Sequence, residues 1–356
     1  MLIDYDNKKE NEVKMRSFRE ILGRKRSDDT EFDIVGIGNA IVDVLVQVDS
    51  NFLEQQGMVP GTMALIDGQR AKELKSMLKA EKQMSGGSVA NTCFVAALMG
   101  AKTAYLGKVA DDGLGKNFAD DIRQGGVYFP SQPLKAKGNA DLLTARSIIF
   151  VTPDGQRTMN TYLGACTQFK PEDVIEEVIS AGKVTFLEGY LFDGELAQKA
   201  FYQAADIAHK AGKKVALSLS DVFCVQRHLA AFKDFVSTRV DMVFANDHEI
   251  CALYETEDFE TAIAQAAKDA PIVVVTRGEK GSVIVAENER IEVACVPTVV
   301  VDTTGAGDAY VAGFLAGWTT DRTYAECGRL GSVVASEVIS HFGARPLPEL
   351  KEVMNF

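Results

Sequence analysis

Short apolar runs alternate with longer stretches in which apolar residues recur every three or four positions, and that alternation predicts the fold. The run Asp33-Ile34-Val35-Gly36-Ile37-Gly38 predicts a buried strand ending in glycine. From residue 171 onward, helical periodicity alternates with apolar runs at 184–187, 215–219, 242–245 and 272–276. Each run is short and β-branched or aliphatic, as a strand buried on both faces should be. The pattern predicts one α/β domain with a mostly parallel central sheet flanked by helices. Segments 283–286 and 290–293 predict a late hairpin, and the chain after Asp302 reads as mainly helical.

The earlier part is more mixed. Strand-like 44–48 and 63–67 flank one or two helical turns at 51–56, followed by a helix at 71–82. A second helix opens in 85–91 and runs to 99, ahead of a strand at 103–108. A third, 113–124, is stopped by Gly125-Gly126. Segments 142–152 and 158–163 are β-rich and flank Pro153-Asp154-Gly155, a hairpin-like turn. These early β segments predict a small β-rich excursion drawn from 44–66 and 139–165. Residues 1–31 read as a charged extension with an amphipathic stretch near 15–22, and 347–356 as a C-terminal tail.

Composition narrows the classes. With 46% hydrophobic residues, the 356-residue chain can bury a substantial core, yet it has no apolar run long enough to span a bilayer. A net charge of −12 argues against nucleic-acid binding through the overall field. The six cysteines form no CxxC pair and the four histidines do not cluster with them, so a zinc site is not expected. Free thiols in apolar runs and the lack of a secretory h-region fit a reduced, cytoplasmic setting.

The strongest chemical signal is Asp302-Thr303-Thr304-Gly305-Ala306-Gly307-Asp308, placed between strand-like 298–301 and an apolar helix over 309–316. Small residues at a helix start let backbone N–H groups converge on an anion, and the helix dipole adds positive potential. Asp308 then stands where a carboxylate can take a proton. Phosphoryl transfer to an alcohol needs both parts, a stabilised transferring group and a base for the hydroxyl. The competing reading, an aspartate that merely steadies a helix N-terminus, fits a single GxGD better than it fits seven consecutive matching residues.

Other motifs surround this one. Gly86-Gly87-Ser88-Val89-Ala90-Asn91 lets a ligand touch bare backbone, and Asn91 can donate and accept hydrogen bonds. In Gly38-Asn39-Ala40-Ile41-Val42-Asp43, the carboxylate lies beyond a strand end, suited to accept from two vicinal hydroxyls. Gly36 and Gly38 lack the third glycine of a dinucleotide fingerprint, which disfavours an NAD-binding oxidoreductase. Asn246-Asp247-His248-Glu249 is a capping pattern after a strand, and Thr276-Arg277-Gly278-Glu279-Lys280-Gly281 a tight turn after the next.

The 302–314 segment resembles the C-terminal signature of the PfkB, or ribokinase-like, family of carbohydrate and nucleoside kinases, with Tyr310 where Phe is frequent. Residues 86–91 resemble its N-terminal GG…N motif, with Val89 and Cys93 larger than usual. Residues 38–43 resemble the entry motif of adenosine kinases and other members of the family. The resemblance implies a ribokinase-like fold over 32–346, with the β-rich excursion as a lid. It implies a kinase that uses ATP and Mg2+ to phosphorylate a primary hydroxyl of a sugar or nucleoside. Asp308 would be the base, with Gly305, Ala306, Gly307 and Asp308 forming the anion hole. Asn39, Asp43, Gly86, Gly87 and Asn91 would bind the acceptor. Asn246 and Glu249 would organise magnesium through water, and Thr276, Gly278 and Gly281 would contact nucleotide.

Arg157 aligns with a lid arginine of adenosine kinase-like members, although a surface hairpin arginine reads equally well. Asp302 and Thr304, with the Gly343 loop, resemble a monovalent cation (K+) site. The stretches at 38–43, 46–57, 63–67 and 86–91 lean toward adenosine or a related ribonucleoside. Ribose, fructose and 2-keto-3-deoxygluconate stay open, as does a nucleoside-binding protein without turnover. The expected partner is a small molecule, with the chain a monomer or homodimer.

Overall fold

The computed structural model describes residues 31–78, 82–135, 142–153 and 156–347, so the predicted N-terminal amphipathic stretch and all but the first residue of the tail lie outside the described residues. The predicted first strand forms as β1 (Phe32–Ile37), buried throughout. It lies between β5 (Thr103–Leu106) and β8 (Gly182–Glu188), parallel to both. Parallel pairing continues through β9 (Lys214–Ser218), β10 (Met242–Asn246) and β11 (Ile272–Thr276). The antiparallel hairpin β12 (Ser282–Ala286) and β13 (Glu289–Val293) closes the far edge, giving the order β13-β12-β11-β10-β9-β8-β1-β5.

Period-two alternation divides the strand side chains between two cores. Ile34, Phe186, Phe244 and Val274 pack on one face, and Val35, Leu187, Val243 and Val273 on the other. The first core is completed by helices Ser88–Leu98, Ala306–Trp318 and Tyr324–Val338. The last two cross closely because Gly313 has no side chain: a Cβ there would lie 2.7 Å from the Leu330 carbonyl oxygen. Helix starts follow capping chemistry. Asp112, Asp221 and Asp258 each accept from first-turn amides, and Thr323 with Glu326 forms a reciprocal box.

A second, five-stranded sheet has the order β3-β7-β6-β2-β4. Its strands are β2 (Ile41–Gln47), β3 (Met63–Leu65), β4 (Lys82–Gly86), β6 (Ala145–Val151) and β7 (Arg157–Tyr162). β6 and β7 pair antiparallel, as a hairpin requires, although two residues of the predicted turn, 154 and 155, lie outside the described residues.

Three local expectations are corrected. The helix predicted at 71–82 runs Gly68–Met77, and Lys82 begins β4; residues 79–81 lie outside the described set. β4 reads Lys-Gln-Met-Ser-Gly, without apolar alternation, and its place comes from antiparallel pairing to β2. Segment 298–301 is not a strand but an exposed loop, with Val299 81% exposed. Its β-branched residues lack a neighbouring strand, so propensity alone does not make a sheet. Among the described residues, no helix is long and apolar enough to cross a membrane.

Candidate active site

The carboxyl ends of the parallel strands line up along one edge of the large sheet, where open α/β sheets bind ligands. Gly38 follows β1, Glu188 ends β8, and Asn246 and Thr276 sit side by side at the ends of β10 and β11. The helix Ala306–Trp318 starts at this edge. Its N-cap is Gly305, left-handed at φ 78°, and no side chain caps it. First-turn amides without a cap favour an anion. Gly307 has open space where a Cβ would be, so a ligand can reach the backbone there. That cradle fits a phosphate group.

Asp308 lies in the first turn of this helix. Its Oδ1 accepts from Ser88 Oγ at 2.6 Å and its Oδ2 from Asn91 Nδ2 at 3.2 Å. Thr92 Oγ1 donates to its backbone oxygen at 3.1 Å. The helix that follows Gly86-Gly87 therefore meets the late glycine loop over more than two hundred residues of chain. Burial pushes the Asp308 carboxyl up to about 6, against the two hydrogen bonds that favour its charge. The residues predicted to form an anion hole, Gly305 to Asp308, and the GG…N residues are thus brought together.

Asp43 faces the same space from β2. Its carboxylate lies against Gly86, where any Cβ would overlap it. Burial raises it to about 6, with Asp308 adding to the rise and Arg345 and Arg157 opposing it. Asn39 is buried: its Nδ2 donates to Glu188 Oε1 at 2.8 Å, and its backbone carbonyl oxygen lies where a Gly87 side chain would go. Gly87, at φ 99°, is the only residue type that suits both demands.

Arg157, on β7, forms a 2.9 Å ion pair with Asp302, and the two side chains are 9% and 8% exposed. It also lies over the Phe342 ring, 5.7 Å from its centre. Asp302 accepts further from Thr304 N and Oγ1 at 3.0 and 2.7 Å and from Gly343 N at 2.9 Å. Burial raises its carboxyl, but the Gly343 and Thr304 contacts and Arg157 outweigh that and hold it below the usual range. The lone pairs of Asp302 are taken by these donors, and Arg157 supplies the positive charge.

Asn246 and Glu249 form the reciprocal capping box that their spacing predicts, with Glu249 Oε1 accepting from Asn246 Nδ2 at 2.7 Å. Burial raises Glu249 to about 7, and Asp221 and Asp247 add to the rise. Among the described residues, no group of three or more His, Cys, Asp or Glu side chains could hold a metal ion directly. Burial raises the Tyr190 hydroxyl, and the charges of Asp221, Glu188, Glu249 and Asp308 add to the rise. The Thr276 loop closes as a tight turn, with Arg277 N donating to Gly281 O at 2.8 Å. Gly278 and Gly281 both take positive φ. Ser282 Oγ meets Tyr310 OH at 2.7 Å, tying this loop to the anion-hole helix.

Several site residues went unread in the sequence. Ser88 sits inside the 86–91 motif, and its position between glycine and helix was the available signal. Glu188 is 1% exposed, raised to about 7 by burial, and accepts from Asn39 and from Val89 N at 3.0 Å. A glutamate closing an apolar strand was its signal. Arg345 had none. A cavity of about 450 Å³ lined by His209, Arg239 and Asp241 lies at the amino ends of β10 and β11, and none of the motif residues line it.

Two glycine variants separate conformation from access. Gly305→Ala would place a methyl 2.7 Å from the Ala344 side chain in a left-handed backbone. It should lose about 1–3 kcal/mol in thermal or urea unfolding, together with activity. Gly307→Ala meets no atom within 4 Å and should unfold like the parent while losing turnover.

An open, mostly parallel sheet with a glycine-started helix at its carboxyl edge, facing a small second sheet, defines a phosphotransferase of the ribokinase-like fold. Residues 61–350 match the pfkB family of carbohydrate kinases, and the chain belongs to that family. It is accordingly a kinase of the sugar and nucleoside class, transferring a phosphoryl group to a hydroxyl. The adenosine kinase of Sinorhizobium meliloti is 48% identical, covers 90% of this chain and 98% of its own, and superposes with a TM-score of 0.82. A probable sugar kinase from Rhizobium etli CFN 42 is 44% identical, with coverages of 91% and 98% and a TM-score of 0.83. An uncharacterized sugar kinase of Archaeoglobus fulgidus is 30% identical over 69% of this chain and 95% of its own.

Proposed function

We propose that the protein transfers the γ-phosphoryl group of ATP to the primary hydroxyl of a ribonucleoside, with adenosine the first candidate. The observation that carries this reading is the juxtaposition of Asp308, held by Ser88 and Asn91, with the uncapped helix start at Gly305 to Asp308. The acceptor hydroxyl lies between Asp43 and Asp308. As its oxygen bonds to phosphorus, its proton passes to the Asp308 carboxylate, the bond to the ADP oxygen breaks, and ADP keeps that electron pair. Amides of Gly305 to Asp308 meet the phosphoryl oxygens, and Arg157, steered by Asp302, adds positive potential from the second sheet.

Asp43 accepts from vicinal ribose hydroxyls while Gly86 and Gly87 let the ring lie on backbone. Asn39 acts from beneath, through Glu188. Asn246 and Glu249 would hold hydrated Mg2+, whose charge offsets that of the phosphates when bound. The Thr276-to-Gly281 turn, beside them at the sheet edge, would take the nucleotide. The second sheet, from 41–47, 63–65, 82–86, 145–151 and 157–162, acts as the lid that excludes water from the transfer.

The adenosine kinase relative favours a nucleoside, and the sugar kinase relative at nearly the same identity keeps a sugar acceptor as the second reading. A coupled ADP-release assay with adenosine, D-ribose, D-fructose and 2-keto-3-deoxygluconate decides between them. We expect adenosine to give the highest kcat/KM by at least tenfold. Turnover of a sugar with none of adenosine would transfer the assignment to a sugar kinase. Adenosine binding with no ADP release from any acceptor would leave a non-catalytic nucleoside-binding protein.

A further inference from the structure

The loop after helix Tyr324–Val338 touches both halves of the site within three residues. Gly343 N donates to Asp302 at the start of the anion-hole loop, and Ala344 packs against Gly305. Arg345 then reaches the other way. Its guanidinium, on a side chain 12% exposed, pairs with Asp121 Oδ2 at 2.8 Å. It donates to the backbone oxygen of Ser85 and to Ser85 Oγ, and it stacks 3.8 Å from the centre of the Phe94 ring. Asp121 in turn accepts from Ser85 N and Oγ at 2.8 and 2.6 Å. Ser85 precedes Gly86-Gly87 and pairs with Val42 next to Asp43, while Phe94 lies on the helix that presents Ser88 and Asn91 to Asp308.

We infer that Arg345 is a positioning residue for the acceptor: its guanidinium fixes the strand that carries Gly86-Gly87 and supplies a countercharge for Asp43. The inference rests on Asp43 being the acceptor ligand proposed above. A buried guanidinium with a carboxylate, a carbonyl, a hydroxyl and an aromatic face around it is held in one geometry. The charged groups facing Asp43 are Arg345 from the C-terminal loop, Arg157 from β7 and Asp308 from the helix Ala306–Trp318. Asp302 already holds Arg157, and Asp121 takes part of the charge of Arg345. Both cations oppose the rise that burial gives the Asp43 carboxyl, Arg345 more than Arg157. A role confined to stability would touch neither the pH dependence of acceptor binding nor the balance between the two substrates.

The test measures binding of adenosine and of D-ribose by calorimetry from pH 5 to 8 in an Asp308→Asn background, with KM values taken in the otherwise unaltered enzyme. Arg345→Met should weaken acceptor binding about tenfold at pH 7. It should also move the pH below which binding fails upward by about one unit, while the KM for ATP changes less than about threefold. Arg345→Lys keeps charge without the fork, so it should raise the acceptor KM and leave the pH limb in place. A folded Arg345→Met with an unmoved limb, or an equal rise in both KM values, would overturn the inference. If the Met variant does not fold, the Lys variant decides: an unchanged acceptor KM overturns it, and a selective rise upholds it. Asp43→Asn runs alongside. Parent-like acceptor binding there would show that the Asp43 assignment itself had failed, taking the Arg345 inference with it.

Discussion

Asp308→Asn is expected to fold as the parent does and to lose roughly a hundred- to ten-thousand-fold in kcat, the range that general-base catalysis contributes. The amide has nearly the carboxylate's shape. Ser88 can keep its hydrogen bond, and Asn91 can turn its carbonyl toward the new donor. Only the capacity to take a proton disappears. The parent should show an acidic limb near pH 6, because burial sets Asp308 at about 6 and the base works only when ionised. Stability should change in the opposite sense. The folded state binds this proton more tightly than the unfolded chain, so the carboxyl favours folding below about pH 4 and that contribution is lost as pH rises through 6. The variant lacks the loss, so it should gain on the parent between pH 4 and 6 by at most about 3 kcal/mol. Stopped-time turnover and urea unfolding across this range check both halves; retained turnover would remove Asp308 from the role of base.

Asp43→Ala is the second large effect. A carboxylate that accepts from two vicinal hydroxyls loses hydrogen bonds worth about 1.5–3 kcal/mol each, so the acceptor KM should rise by roughly a hundredfold or more. The KM for ATP should move less than about threefold. The pocket lies against Gly86, and a methyl group leaves room there for water, which limits the structural damage. Initial-rate kinetics with each substrate varied in turn measure the split. A matched rise in both KM values would argue that Asp43 supports the fold of the cleft rather than the ring of the acceptor.

The parallel strands of the large sheet were legible because each is a short, mostly apolar run that is largely buried. The late glycine loop was legible because consecutive small residues before an apolar helix have few other physical uses. Local pattern failed where long-range pairing decides. β4 is a strand because β2 lies beside it, and the polar Lys82-Gln83-Met84-Ser85 does not announce that. Residues 298–301 look like a strand because they are β-branched, yet no strand lies beside them, and Val301 N donates to Ile339 O at the end of a helix. The same limit applied to the site. Asn246 and Glu249 are four residues apart inclusive, and their capping box could be read directly. Arg345 finds Ser85 across 260 positions, and Arg157 finds Asp302 across 145, so no spacing rule reaches them. Glu188 follows the apolar run 184–187, and only the folded chain shows it against Gly38, holding Asn39.

Helix Ser88–Leu98 packs against helix Ala306–Trp318, and this contact has a bearing on how the polypeptide emerges from synthesis. The large sheet is complete in sequence once β13 ends at Val293, before the glycine loop or either closing helix exists. Until those last segments appear, Val89, Ala90 and Cys93 have a sheet behind them and only part of their cover in front. A released chain that ended near residue 300 would thus display a nearly finished sheet with a greasy, unpartnered flank, the kind of surface on which chaperones act and aggregates nucleate. Catalytic competence and protection of that flank arrive in one event, because the segment that brings the carboxylate is also the one that seals it.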